Sequence, residues 1–283
     1  MTAIAVVSMG EMGSGIAGRL VENGARVLTS LEGRSTASWS RAKAAGVEIF
    51  DDAGMIEQAE LLLSIVPPSA AGATAERFLP LIERSEGKPA FLECNAIAPQ
   101  TVLALSKPFF RQGLRFADAS IIGLSPKAGE IGPRLYMSGP VRLEADLLRS
   151  FGLDVRVLSD VVGDASALKM AYAGINKGFQ AIGAAMILGA VRNGAADSLV
   201  AELQNSQPEL YAWLTKTLPR MYSKAYRWDG EMREIAKFLE PEPGAVAMVT
   251  GAADLYNHIA AEWREGAQSE IVSALDRFAK PPR

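Results

Sequence analysis

Between the apolar run Ala3–Val7 and a helical stretch carrying Ile16, Ala17 and Leu20 stand Ser8, Met9, Gly10, Glu11, Met12 and Gly13. A β-branched strand that runs into a glycine turn and then a helix has the layout of the G-x-G-x-x-G fingerprint. In that layout backbone N–H groups and the positive end of the helix dipole receive a dinucleotide pyrophosphate. Gly10 would let the backbone approach the pyrophosphate, and Gly13 would let the helix pack close to the strand. The first position is Ser8, where glycine is usual, so the serine must adopt the turn geometry itself. An ordinary βα turn without a nucleotide is the competing reading. The position of the turn at the N-terminal end of a βαβ pattern favours the cofactor.

The second strand should end near Thr29–Leu31, where an acid would hold the ribose hydroxyls of NAD and an arginine would accept the extra phosphate of NADP. Both chemistries are present. Glu32 lies 19 residues after Gly13, and Gly33-Arg34-Ser35 follows at once. A guanidinium and a hydroxyl on a glycine turn form a phosphate clamp, so NADP is the expected cofactor, with NAD as the alternative. A charge on a solvated loop is the bland reading of either residue taken alone.

The elements that must position this turn read as two domains. Short apolar runs at Ala3–Val7, Arg26–Thr29, Leu61–Val66, Ala90–Glu93, Arg115–Ala119, Leu135–Ser138 and Val155–Leu158 alternate with helical stretches. Such alternation predicts a mostly parallel sheet with crossover helices. From Asp164 to Arg192 there is no proline, and Gly174, Gly178, Gly183 and Gly189 are scattered among Ala, Leu, Met and Ile. A helix of that length spans about 43 Å, and its glycines point to close helix packing. The remainder reads as helices, with breaks expected near Asn193-Gly194, Gln207-Pro208, Asp229-Gly230 and Pro241–Gly244. The expected fold is therefore an α/β Rossmann-like domain over residues 1–161 and an all-α domain over residues 162–283, joined by a long interdomain helix.

Composition narrows the function classes. The chain has 283 residues, enough for about two domains. A net charge of −3 offers no basic field for nucleic acid. One cysteine and one histidine exclude a disulfide and a Cys/His zinc site within the chain, so no metal is expected. No apolar run reaches the ~20 residues of a membrane span, and a strand that begins at Ala3 leaves no room for a signal peptide. A cytoplasmic enzyme or binding protein with a small-molecule ligand is the expectation. Cys94 reads as a small core residue, His258 as structural, and Asp51-Asp52 as a helix N-cap.

Beyond the glycine turn, several segments share an order with one family. Leu63-Ser64-Ile65-Val66-Pro67-Pro68, Glu93-Cys94-Asn95-Ala96-Ile97-Ala98-Pro99, Asp118-Ala119-Ser120-Ile121-Ile122-Gly123, Gly163 to Lys169 and Arg233-Glu234-Ile235 follow one another along the chain. Together with Gly10-Glu11-Met12-Gly13 this series resembles the β-hydroxyacid dehydrogenases, relatives of 6-phosphogluconate dehydrogenase. The resemblance implies that Val66, Pro67 and Asn95 lie along the cofactor. It implies that the loop carrying Ser120, Ile122 and Gly123 meets the substrate. It also makes Lys169 the acid/base. When hydride leaves or reaches a carbinol carbon, the adjacent oxygen must lose or gain a proton, and a lysine can carry it.

The departures are informative. Where the family follows its lysine with two asparagines, this chain has Tyr172 and Ala173. Tyr172 lies one turn from Lys169, and Asn176 and Lys177 lie seven and eight residues on, so a polar stripe survives with altered chemistry. A tyrosine hydroxyl would donate a proton or orient the substrate oxygen; a packed aromatic with a wet tip is the equal alternative. The serine and glycines that hold a substrate carboxylate are replaced by Ile122, Gly123 and Leu124, with Ser120 and Ser125 out of register. A bulkier or more apolar carbonyl or imine is the expected substrate, and Trp213, Tyr222, Tyr226 and Trp228 are candidates to line its pocket. The resemblance implies a homodimer, with the segment Gly174–Ala190 as an interface helix. The leading reading is an NADP- or NAD-dependent oxidoreductase. The alternatives are an imine reductase of the same fold and a cofactor-binding regulatory protein that has lost its chemistry.

Overall fold

The computed structural model describes residues 2–265 and 270–279. The chain forms two compact units, Met1–Met170 and Ala171–Arg283. They divide inside the long helix, where the sequence places a boundary at its start.

The first unit is built on β1 (Ala3–Val7), β2 (Arg26–Ser30), β3 (Glu48–Phe50), β4 (Leu61–Ser64), β5 (Ala90–Glu93), β6 (Phe116–Ile122), β7 (Arg134–Ser138) and β8 (Asp154–Ser159). They form one eight-stranded sheet in the order β3-β2-β1-β4-β5-β6-β7-β8. All neighbours are parallel except β6 and β7, which pair antiparallel. Every residue of β1, β4, β5 and β6 is buried, which is why these strands are mostly apolar and do not alternate, with Ser64, Glu93, Asp118 and Ser120 as the buried polar residues among them.

Helices cover both faces. On one, α1 (Glu11–Glu22), α2 (Thr36–Ala45) and α6 (Arg142–Ser150) contribute Ile16, Leu20, Ala42 and Leu148 to a core with Ile4, Val6 and Leu63. On the other, α3 (Asp52–Gln58), α4 (Ala71–Arg84) and α5 (Pro99–Arg111) bring Met55, Phe78, Ile82 and Phe109 against Leu62, Phe91 and Phe116. Asp51 does cap α3, its carboxylate accepting from Gly54 N at 2.8 Å. The sequence reading missed β3, whose Glu48 and Ile49 are exposed at the sheet edge and carry no apolar run.

Helix α7 (Asp164–Arg192) begins in the first unit and continues into the second. There it is followed by α8 (Ala196–Ser206), α9 (Pro208–Met221), α10 (Ala225–Phe238), α11 (Pro243–Glu265) and α12 (Glu270–Ala279). Among the described residues of this unit there is no strand. Two of the α7 glycines serve close packing: a Cβ on Gly183 would lie 2.5 Å from Leu214, and one on Gly174 would lie 3.2 Å from Ile235. Gly178 and Gly189 meet nothing within 4 Å.

The break expected at Asp229-Gly230 is absent, and α10 runs through it. There Asp229 accepts from Arg233 one turn on at 2.9 Å and from Asn257 at 2.8 Å, which holds the backbone helical despite the glycine. The interruption falls instead at the short 3₁₀ turn Tyr222–Lys224. No helix among the described residues is long and apolar enough to cross a membrane.

Candidate functional site

The strand order of the first unit reverses direction at β1 and β4, and in open α/β sheets ligands sit beyond the carboxyl ends of the strands at such a point. The glycine turn follows β1 there. Ser8 has φ +80°, the left-handed conformation that L side chains resist, so it occupies the place of a turn glycine at a cost of about 1–2 kcal/mol. Gly10 is the N-cap of α1 with no side-chain cap, and the first-turn N–H groups are not spent on one. A Cβ on Gly10 would come no closer to any heavy atom than 3.8 Å, so a ligand has open access to its backbone. A Cβ on Gly13 would lie 2.0 Å from Ser8 O, so only glycine lets α1 pack on the turn. Met9 is fully buried and Met12 packs against the core, whereas Glu11 is exposed. This cradle of glycine backbone and uncapped helix fits a nicotinamide dinucleotide.

At the end of β2, Ser35 caps α2 and accepts from Ser38 N at 3.4 Å. Its hydroxyl also lies 3.3 Å from that of Ser38. Gly33 has φ +67°, Arg34 is half-buried and Glu32 is exposed. Sequence reasoning missed Arg41 on α2, whose Nε donates to Met9 O in the glycine turn at 2.6 Å.

Beyond β4 and β5 the loops are tied together by Asn95. Its Oδ1 accepts from Val66 N at 2.6 Å and its Nδ2 donates to Ser64 Oγ at 3.0 Å. The buried Asn95 amide thereby fixes the Val66-Pro67 backbone. Asn95 N in turn donates to Glu93 Oε1 at 2.9 Å. Burial pushes the Glu93 carboxyl up to about 8, with Asp118 adding to the effect and the hydrogen bond from Asn95 opposing it. The two acids are opposite one another in the β5–β6 register. Cys94 is buried beside them, and burial pushes its thiol up as well, so it belongs to the core.

Asp118 anchors the start of α7. Its Oδ2 accepts from Gly163 N at 3.1 Å, Ser166 N at 2.9 Å and Ser138 Oγ at 3.1 Å, and its Oδ1 accepts from Ser166 Oγ at 2.7 Å. Desolvation raises the Asp118 carboxyl, and these hydrogen bonds pull it back. One turn further along α7, Lys169 Nζ donates to Ile121 O near the end of β6 at 2.8 Å. The glycine turn, the Val66 loop, Asn95, the end of β6 and Lys169 therefore all belong to the first unit. Ser120 and Ile122 are buried; Gly123, with φ +140°, is exposed, and the adjacent Leu124 is 77% exposed.

In the second unit Tyr172 is exposed, and Asn176 Nδ2 donates to Tyr172 O at 2.8 Å. Lys177 pairs with Glu231 at 2.8 Å and lies over the Trp228 ring at 5.2 Å, while Tyr256 Oη donates to its backbone oxygen at 2.5 Å. Three of the aromatic candidates pack against other rings, Trp228 against Tyr256 at 5.0 Å, Tyr222 against Trp263 at 5.5 Å and Trp213 against Phe179 at 6.5 Å, while Tyr226 is exposed with the Arg264 guanidinium 5.7 Å from its ring. His258 lies 3.2 Å from Glu262 on α11.

Comparison with known proteins places these features. Residues 3–88 match the family described as NADP oxidoreductase coenzyme F420-dependent, and residues 190–259 match a domain of unknown function, DUF1932. An uncharacterised 28.5 kDa protein of Methanothermus fervidus is 24% identical over 90% of this chain and 98% of its own length. A 3-hydroxyisobutyrate dehydrogenase of Pseudomonas aeruginosa is 30% identical over 44% of this chain and 41% of its own length.

Among solved structures, a conserved protein described as structurally similar to 3-hydroxyacid dehydrogenases is 25% identical with a TM-score of 0.67, covering 92% of this chain and 97% of that one. The Mycobacterium tuberculosis 3-hydroxyisobutyrate dehydrogenase solved with L-serine shares the fold at 17% identity and a TM-score of 0.71, over 97% and 98% of the two chains. An imine reductase of Myxococcus stipitatus shares it at 15% identity and 0.59, over 99% and 100%. In its motif order, its uncapped glycine turn and its two-unit architecture, the chain resembles the β-hydroxyacid dehydrogenases, NAD(P)-binding oxidoreductases whose fold it shares.

Proposed function

We propose that the protein is an NADP-dependent oxidoreductase acting on a small alcohol or carbonyl substrate, with Lys169 as the general acid/base. The observation that carries this reading is the Lys169–Ile121 hydrogen bond of 2.8 Å, which fixes an ammonium at the carboxyl end of the parallel strands, in the unit that holds the glycine turn. When bound, the nicotinamide supplies or accepts the hydride. Lys169 gives a proton to the substrate oxygen in reduction and takes it back in oxidation. Asp118 holds the first turn of α7 and so sets where Lys169 stands. Asn95 holds the Val66-Pro67 backbone along the cofactor. Arg34 and Ser35 favour NADP over NAD.

Gly123 offers an exposed backbone on the substrate side, and Ile122 and Leu124 replace the polar groups a small carboxylate would need. A bulkier, less polar substrate follows from that loop. Further along the same helix as Lys169, Tyr172 and Asn176 are the proposed additional substrate contacts, with Tyr172 able to act as a second proton donor, whereas Lys177 is held by Glu231 at 2.8 Å.

A second reading, an imine reductase, is favoured by Tyr172 and Ala173 in place of the family's two asparagines and by the fold shared with solved imine reductases. Loss of chemistry with retained cofactor binding is the third reading, and the retained Lys169 argues against it. Tyr172, Ile175, Phe179, Ile182 and Met186 form an exposed apolar row at three- and four-residue spacing on α7, which supports a homodimer. The test is the nicotinamide absorbance change with NADPH or NADP and a panel of β-hydroxy acids, ketones and imines. Turnover with imines alone would select the second reading, and cofactor binding without any turnover would select the third.

A further inference from the structure

Arg41 is a charged side chain that the turn-forming and helix-forming roles do not explain. It is half-buried on α2, and its Nε donates to Met9 O in the glycine turn at 2.6 Å. That bond uses one edge of the guanidinium. Among the described residues no carboxylate pairs with Arg41, and no hydrogen bond involves its two terminal nitrogens. Three arginines of this unit are neutralised: Arg26 lies on Glu48 at 2.7 Å, Arg115 on Glu144 at 2.8 Å, and Arg77 on Asp52. A partly desolvated cation held rigidly without a counter-charge is completed by an anion.

The surroundings point the same way. Ser35, Ser38 and Arg41 recur every three residues along one side of α2, and the first turn of that helix carries no acid. Arg34, the residue before the cap, has no carboxylate partner among the described residues either. Arg41 thus reaches the glycine turn, while Arg34, Ser35 and Ser38 stand at the end of β2 and the start of α2, the helix that carries Arg41. There the ribose of a dinucleotide carries its 2′ substituent.

We infer that Arg41 is a second ligand of the cofactor's 2′-phosphate, braced on Met9 O and acting with Arg34, Ser35 and Ser38 to discriminate NADP from NAD. This rests on the dinucleotide reading of the turn and extends it to a residue outside the turn and its following loop. A phosphate monoester dianion matches the two positive charges, and a guanidinium fixed by one edge presents its remaining N–H fork to two phosphate oxygens.

The experiment is fluorescence titration of the full chain with NADPH, NADH, adenosine 2′,5′-bisphosphate and adenosine 5′-phosphate. It is run on the wild type, Arg41→Ala, Arg41→Gln and Arg34→Ala, with thermal melts beside it. Arg41→Gln retains an amide donor for Met9 O and guards against loss of the turn. Both Arg41 variants should weaken NADPH and the bisphosphate by about 10-fold or more, as expected for a lost charged hydrogen bond, while NADH and adenosine 5′-phosphate change less than about twofold. Equal loss of NADPH and NADH would show Arg41 to be a turn brace only and would overturn the inference. So would an unchanged NADPH affinity. Tight binding of NADH by the wild type with no NADPH preference would overturn the phosphate assignment yet leave the oxidoreductase reading standing. Binding of neither dinucleotide would sink both.

Discussion

Asp118 and Ser166 are joined twice: Ser166 N donates to Asp118 Oδ2 at 2.9 Å and Ser166 Oγ donates to Oδ1 at 2.7 Å. A carboxylate inside β6 thus caps the first turn of α7 from 48 residues away in sequence, and Lys169 stands one turn beyond. Lys169, the proposed proton carrier, is thus positioned through the sheet residue that anchors its helix.

Removal of the anchor should therefore destabilise the first unit. Asp118→Ala leaves Gly163 N, Ser166 N and two hydroxyls buried without an acceptor. Several such losses together should cost roughly 3–5 kcal/mol in urea unfolding, whereas Asp118→Asn, which keeps one acceptor oxygen, should cost about half of that. An unfolding midpoint unchanged in Asp118→Ala would contradict this account of α7.

Lys169 separates chemistry from binding. Lys169→Met keeps the aliphatic stem and removes the ammonium. With a turned-over substrate it should lower kcat by about 10²–10⁴-fold, the range for a positioned acid/base. NADPH affinity should stay within about twofold, since the Lys169 ammonium is held by Ile121 O near the end of β6 and the methionine keeps the aliphatic stem. Near wild-type turnover would transfer the role to Tyr172, to be examined by Tyr172→Phe.

Much of this arrangement is legible in the sequence. Strands β1, β4 and β5 are buried on both faces, and their apolar runs Ala3–Val7, Leu61–Leu63 and Ala90–Leu92 reflect that. The glycine turn declares itself because a strand, two glycines and a helix must follow one another in sequence. The supports were not legible. Arg41 reaches Met9, and Asp118 reaches Gly163 and Ser166, across long separations that no local spacing encodes. Ser35 was read as a phosphate ligand, although its place before Thr36 and Ser38 is also a helix-capping signal. The bonds of the Asn95 amide to Val66 N and Ser64 Oγ join two loops across 29 and 31 residues and carry no local signature. Edge strand β3 was missed because one exposed side leaves it no apolar signature.

The turn itself makes a prediction of opposite signs at two positions. Ser8 holds φ +80°, so Ser8→Gly removes the left-handed penalty and should raise stability by about 1 kcal/mol, with cofactor affinity kept. Gly13→Ala drives a methyl to 2.0 Å from Ser8 O, so the turn must open. Loss of dinucleotide binding and a lower melting temperature should accompany it. A Gly13→Ala protein that binds NADPH like the wild type would refute the close packing.

Glu93 gives the chain a pH dependence that runs against the usual one for acids. Its ordinary value is 4.5, and burial opposite Asp118 lifts it to about 8 in the folded protein. Between those values the folded state binds a proton that the unfolded state has released. Unfolding free energy then falls as pH rises. The contribution of neutral Glu93 is fully present below about pH 4.5, is lost progressively up to about pH 8, and changes no further above it. Asp118, also raised by burial, acts in the same direction. Cys94, packed beside them, stays protonated through this range because its thiol is pushed up too.

Glu93→Gln keeps an oxygen to accept from Asn95 N and cannot ionise. Urea unfolding from pH 5 to 8.5 should show the wild type losing roughly 2–5 kcal/mol relative to Glu93→Gln across the window. Parallel stability curves for the two proteins would mean that Glu93 is ionised throughout, and the hydrogen bond to Asn95 would then have to stabilise a buried carboxylate.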